Sequence, residues 1–439
     1  MEKQRFNKDF ALLYAVLTFA GLFTLLTVAA VRKGDYWPYF FWKDSMDSSM
    51  DFYNSLEESK GDDIYENYKL IYPFPASVML KATLLMVDDE ALEGLPTDHS
   101  AVVGRRRTPH DPRTFQSMVI AHGIWFISYL LLMPCLVAYK FRHLGVAAYL
   151  TGMASVLSYG SLCALERGNI VCISAMLSAV FLFSYDSKRS WVRAVSVACL
   201  VLSFGIKLYP CIYGLILLDR KQYKEAIAAV LSGMTLFLGS MMLFGGFRIL
   251  PLYLKNLSGF NAGEGDAIFY RYGIRGVAEH LFRYFLRMSL PCGDIATLVL
   301  PAVCFMVLIA AFCIHRRRWQ KLFCLTLLMV LMQGESTDYT LCFFTPVLLI
   351  MIYDEGCLPG RLHIIYFYLT VLLVFILPYP TPPINDDRNM VLHRVDGVHL
   401  FICLSLIFEA AVSARAVTGY LIRTLRCSLL RTGSSQSQR

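Results

Sequence analysis

Apolar runs recur along this chain, the longest exceeding the roughly 20 residues that carry a helix across a bilayer. They lie near residues 10–31, 115–139, 144–165, 170–185, 192–208, 209–219, 225–245, 295–314, 321–334, 339–353, 363–379 and 398–418. Lys207 and Pro210 divide one continuous apolar stretch into the short fifth and sixth runs. The pattern predicts an all-α polytopic membrane protein with about 12 transmembrane helices, and 10–13 are compatible with it. Composition agrees. With 439 residues, 56% of them hydrophobic, and a mean hydropathy of +0.51, a soluble chain would need an implausibly large core. The first run is longer than a signal-peptide core and has no convincing cleavage site, so it reads as a retained span.

Charge placement orients the spans. The net charge is +8, but the cations form short clusters between apolar runs rather than one basic surface. Nucleic-acid binding is therefore not expected. Lys3, Arg5 and Lys8 precede the first run, and every second connection is basic: Lys140 with Arg142, Lys188 with Arg189, Arg220 with Lys221, and Arg316 to Arg318. Arg423, Arg426 and Arg431 follow the last run. By the positive-inside bias, both termini are expected in the cytoplasm. Residues 1–422 then form one membrane domain, with long external loops at 32–114 and 246–294 and a basic cytoplasmic tail at 423–439. Ser77 to Met86, within the first of these loops, reads as an interfacial helix.

Most of the 13 cysteines fall in apolar runs, where they act as small hydrophobes, and no CxxC occurs. Asp386-Asp387 is a pair of adjacent loop acids, poor evidence for a metal site. No metal or cofactor is expected.

The chemically rich stretches fall on one membrane face. Asp51, beside Phe52 and Tyr53, reads either as a general base for a hydroxyl or as a solvated loop acid or helix N-cap. Tyr65, Tyr68 and Tyr72 read as sugar-stacking rings or as interfacial anchors. Lys207 is either a phosphate-holding cation or a snorkelling lysine. Glu166 and Arg167 neutralise each other at a span end, or Arg167 offers charge-assisted hydrogen bonds to phosphate; Asn169 caps the returning helix. Asp338 and Tyr339 end a tight connection, where capping is the default. Gly263 to Asp266 lacks the context of a nucleotide-binding loop.

In their order, Met50-Asp51-Phe52-Tyr53-Asn54-Ser55, Ile71-Tyr72-Pro73-Phe74-Pro75, Glu166-Arg167-Gly168-Asn169-Ile170, Gly205-Ile206-Lys207-Leu208-Tyr209-Pro210 and Ser336-Thr337-Asp338-Tyr339 resemble glycosyltransferase family 87. The resemblance covers about residues 40–355. It implies a GT-C-type membrane fold and sugar transfer from a polyprenyl-phosphate donor to a lipid- or glycan-linked acceptor on the external face. A mannose-like sugar is the expected cargo, and a bacterial plasma membrane the expected location. It also implies Asp51 as base, and Lys207 and Tyr209 at the donor phosphate, with Glu166, Arg167, Asn169, Tyr72, Tyr53, Asp338 and Tyr339 around the substrate. The chain departs from the family in Tyr72-Pro73-Phe74-Pro75, where Tyr-Pro-Pro is usual, and in a hydrophilic insertion from about Val87 to Arg113.

A second reading, a transporter of lipid-linked glycans, calls for midplane polar groups, broken helices and repeat symmetry. The motifs gather instead at one face, and no repeat is evident.

Overall fold

The computed structural model describes residues 2–31, 48–61, 63–66, 70–94, 111–261, 272–280, 299–333, 336–355, 372–373, 375–378 and 392–436. These residues are helical, and no strand occurs among them. In order the helices are α1 (Glu2–Val31), α2 (Met50–Glu58), α3 (Phe74–Leu84), α4 (Asp89–Gly94), α5 (Gln116–Lys140), α6 (Val146–Val156), α7 (Tyr159–Arg167), α8 (Val171–Ser184) and α9 (Ser190–Ile206). There follow α10 (Leu215–Asp219), α11 (Tyr223–Met242), α12 (Leu250–Asn261), α13 (Ile274–His280), α14 (Leu300–Ile314), α15 (Arg318–Leu331), α16 (Phe344–Glu355) and α17 (Leu392–Gln436). Short 3-10 helices at Tyr209–Gly214 and Asp338–Phe343 introduce α10 and α16.

Among the described residues, four helices are long and apolar enough to cross a membrane, within α1, α5, α11 and α17. A fifth span results if α6 and α7, bent by 47° at Leu157-Ser158, count as one. Several other apolar runs fold as helices of 10–17 residues, α8, α9 and α14 among them. The run at 363–379 lies mostly outside the described residues. The Ser77–Met86 stretch is helical over most of its length, as part of α3, which has Pro75 in its first turn, where a missing N–H costs nothing.

Large apolar side chains face outward on the long helices: Ile127 and Leu131 on α5, and Ile227, Val230 and Leu231 on α11, are all more than half exposed. Inside, small polar residues allow close packing. Ser174 and Ser178 of α8 each share a hydrogen bond of 2.8 Å with Ser203 of α9. Outward hydrophobes with inward, satisfied hydroxyls are the arrangement a bilayer solvent favours.

One close approach positions the site. α7 packs on the Asp338–Phe343 turn so tightly that a Cβ on Gly160 would lie 2.3 Å from the Cys342 nitrogen. Only glycine fits there. The 338–343 turn is thereby held against the first turn of α7.

Candidate active site

Asp51 lies in the first turn of α2, where the helix dipole favours a negative charge. It is not the N-cap. That position belongs to Ser49, whose side chain makes no capping bond. The Asp51 carboxylate instead accepts from two side chains of the distant α7–α8 turn. Arg167 Nη2 donates to Oδ1 at 2.6 Å, and Asn169 Nδ2 donates to Oδ2 at 2.8 Å. The Asn169 Oδ1 accepts the Val171 backbone N–H at 3.0 Å, from one position before the α8 N-cap, which is Ile170 rather than Asn169 as the sequence suggested. The Asp51 and Arg167 side chains keep 16% and 19% of their surface, so the pair is held yet reachable.

The backbone enforces this meeting. Ser49 N–H donates to the Glu166 carbonyl at 2.6 Å, and Arg113 donates to the Ser48 carbonyl at 3.3 Å. Ser49 and Gly168 both adopt left-handed conformations, with φ of 61° and 67°. A Cβ on Gly168 would sit 2.8 Å from the Ser49 oxygen. Two unusual turns therefore interlock and fix the entry of α2 against the α7–α8 turn.

Lys207 ends α9, with its backbone N–H bonded to Ser203. Its ammonium lies 4.1 Å from the centroid of the Tyr72 ring and within electrostatic reach of Asp51. A cation over an aromatic face is stabilised by the ring quadrupole and remains a charge donor on its other side. Tyr72 is buried and bonds to the Ser55 side chain, one turn beyond Asp51, whose hydroxyl donates to the Asp51 carbonyl at 2.5 Å. Burial holds the Tyr72 phenol neutral, its pKa far above the ordinary tyrosine value. Tyr209 packs edge-on against Phe343 at 5.6 Å, and Tyr339 and Tyr72 are both within electrostatic range of it.

The other predicted residues stand around this group. Asp338 accepts a hydrogen bond from Tyr272, whose backbone N–H bonds to the Ser336 carbonyl at 2.7 Å. Tyr53 is buried and stacks on His122 at 5.6 Å, forming a wall behind α2. Burial pushes its phenol up to about 12. Glu166 contributes through its backbone carbonyl. Tyr65 is not a sugar platform: only 1% of it is exposed, its ring packs on Phe74, Phe244 and Tyr253, and its hydroxyl is shared with Tyr72 and Ser77. Tyr68 lies outside the described residues.

Glu58 escaped the sequence reading. It lies seven residues after Asp51, two turns along the same helix face. Burial, then the neighbouring Glu57 and Asp51, push its carboxyl up to about 8. The i, i+7 spacing of two acids with Ser55 between them is the signal that would have found it. Tyr272 had no local signal, since Asp338 meets it 66 residues away.

The family model of glycosyltransferase family 87 matches residues 112–334, just over half of the chain. The chain belongs to that family. The matched region holds Arg167, Asn169, Lys207 and Tyr209, while Asp51, Tyr72, Asp338 and Tyr339 come to them from outside it. No curated protein and no solved structure gives a match. The helices long and apolar enough to span a bilayer, together with the family, make this an integral membrane glycosyltransferase.

Proposed function

We propose that this family 87 member transfers a sugar, mannose-like in the simplest case, from a polyprenyl-phosphate donor to a hydroxyl of a lipid- or glycan-linked acceptor. The observation that carries the reading is the Asp51 carboxylate, oriented by Arg167 and Asn169, with the Lys207 ammonium within its field. A base and a phosphate-matched cation are the two charges that a single inverting displacement requires.

In that step the acceptor oxygen attacks the anomeric carbon as the bond to the donor phosphate oxygen breaks. Asp51 takes the acceptor proton, and Lys207 offsets the charge left on the departing lipid phosphate. Arg167 and Asn169 act through Asp51, each holding one carboxylate oxygen and leaving its second acceptor site for the hydroxyl. Tyr72, Tyr209 and Tyr339 supply apolar faces and hydroxyls around the sugar, and Asp338 and Tyr53 shape its surroundings. No step calls for a metal or a nucleotide donor.

This reading carries a GT-C-type arrangement of about 12 spans, with the site outside, both termini in the cytoplasm of a bacterial cell, and residues 1–422 as one membrane domain. The test offers purified wild type and Asp51→Asn a panel of polyprenyl-phosphate sugars with extracted lipids and glycans as acceptors. Transfer by wild type and a loss of about 10²–10⁴-fold in a folded Asp51→Asn protein is the expected result. Equal transfer by both removes Asp51 from the chemistry. Donor translocation across vesicles without transfer would establish a transporter instead.

A further inference from the structure

Three potential metal ligands meet far from Asp51. His315 sits in the connection between α14 and α15, Cys324 on the second turn of α15, and Glu409 within α17. All three are buried, and one ligand atom of each lies within 4.8 Å of the others. His315 Nε2 and Glu409 Oε2 are 2.7 Å apart, and the Cys324 thiol is hydrogen-bonded to the Glu409 carboxylate. The Glu409 side chain has no exposed surface. Lys321, one turn before Cys324, is held by Asp219 and lies over the Phe312 ring at 5.0 Å.

The cluster lies toward the end of α15 opposite the Asp338 turn. α15 is 14 residues long, a rise of roughly 20 Å. The transfer reaction uses none of the three residues. A carboxylate with no solvent access is costly to bury unless its charge is fully matched.

We propose that His315, Cys324 and Glu409 form a binding site for one divalent cation of the zinc type, tying α17 to the α14–α15 pair. An imidazole nitrogen, a thiolate and a carboxylate make a mixed donor set that suits zinc and excludes magnesium or calcium, which take oxygen ligands. Bond lengths of about 2.0–2.3 Å place tetrahedral ligands about 3.3–3.8 Å apart. On binding, the widest separation closes by at most about 1–1.5 Å, the 2.7 Å His315–Glu409 contact opens by about 0.6 Å, and a water completes the shell. Charge also balances: one thiolate and one carboxylate neutralise a dipositive ion in a surrounding that tolerates no net charge. Binding displaces the thiol proton and the one shared between His315 and Glu409, so about two protons leave per ion.

The test titrates Co²⁺, then Zn²⁺, into metal-stripped full-length protein in detergent micelles. The expected result is saturation near about one ion per chain, a thiolate-to-cobalt charge-transfer band that zinc abolishes, and release of about two protons. Cys324→Ser should lose the band and bind at least roughly tenfold more weakly, and Glu409→Gln should weaken binding similarly. The proposal is overturned if the wild type shows no saturable band, since the cluster is then a hydrogen-bonded triad only. It is equally overturned if Cys324→Ser keeps the band, because another cysteine then supplies the thiolate. Should Cys324→Ser fail to fold, the wild-type titration and Glu409→Gln decide by the same criteria.

Discussion

The Asp51–Arg167 pair and the His315–Glu409 pair are similar in geometry, at 2.6 and 2.7 Å, and opposite in accessibility. Asp51 and Arg167 keep 16% and 19% of their side-chain surface, whereas His315 and Glu409 keep 6% and 0%. The first pair joins a short helix to a tight turn and leaves a carboxylate where a hydroxyl can reach it. The second joins the α14–α15 connection to α17 and is almost closed to solvent. Contact distance therefore does not distinguish a chemical site from a structural one. Access and the groups in range do.

The sharpest way to break this contrast is to make one substitution at both ends. Lys207→Gln should lower turnover about 10²–10³-fold if, as proposed, its charge offsets that of the leaving phosphate. Lys321→Gln should lower the thermal midpoint and leave the turnover of folded protein unchanged, since its partner is Asp219. Steady-state transfer assays alongside thermal denaturation read both. Equal loss of turnover at the two ends would erase the distinction.

Gly168→Ala probes how the open pair is held. The added methyl meets the Ser49 backbone at 2.8 Å in a left-handed conformation. That conformation costs about 1–2 kcal/mol in itself. Displacing α2 by about 1 Å should reduce transfer up to roughly 10²-fold. Denaturation midpoints and kcat measure the two effects, and an unaltered kcat would show that the interlocked turns do not set the position of Asp51.

The smallest effect is on pH dependence. Glu58 holds its proton up to about 8 in the folded protein, while the unfolded chain releases it near the ordinary 4.5. The native state thus binds more protons between these values, and stability falls as pH rises through that window. Glu58→Gln cannot titrate, so its denaturation midpoint should fall less from about pH 4.5 to 8. Parallel curves for the two proteins would mean that Glu58 is not shifted.

The membrane class and most of the site group were legible in the sequence, because apolar length and charge bias are local signals. Asp51, Arg167, Asn169, Lys207 and Tyr72 all fall in stretches that stand out by composition. Their pairing was not legible. Arg167 reads as a phosphate ligand until the fold brings it to Asp51 across 116 residues. Span lengths were hard to read for a related reason. The run at 144–165 gives no sign of its break at Leu157-Ser158, whereas Lys207 and Pro210 mark the one after Ile206. Tyr65 could be read as a sugar platform or an interfacial anchor and its ring is exposed for neither, because burial of an aromatic ring depends on what packs against it. The His315, Cys324 and Glu409 group spans 94 residues and carries no ligand spacing that a reader of the chain would notice.

The interlock of Ser49 with the α7–α8 turn also sets a timetable for biogenesis. α2 leaves the ribosome long before Glu166, Arg167 and Asn169 do, so it waits without the partners that orient its carboxylate. Closing so long a connection comes late in assembly, after the intervening helices have been inserted. A nascent chain halted before α7 holds the whole Asp51 segment and none of the side chains that orient its carboxylate. The pairing that the proposed transfer relies on is thus withheld until the chain has passed residue 169, more than a third of its length.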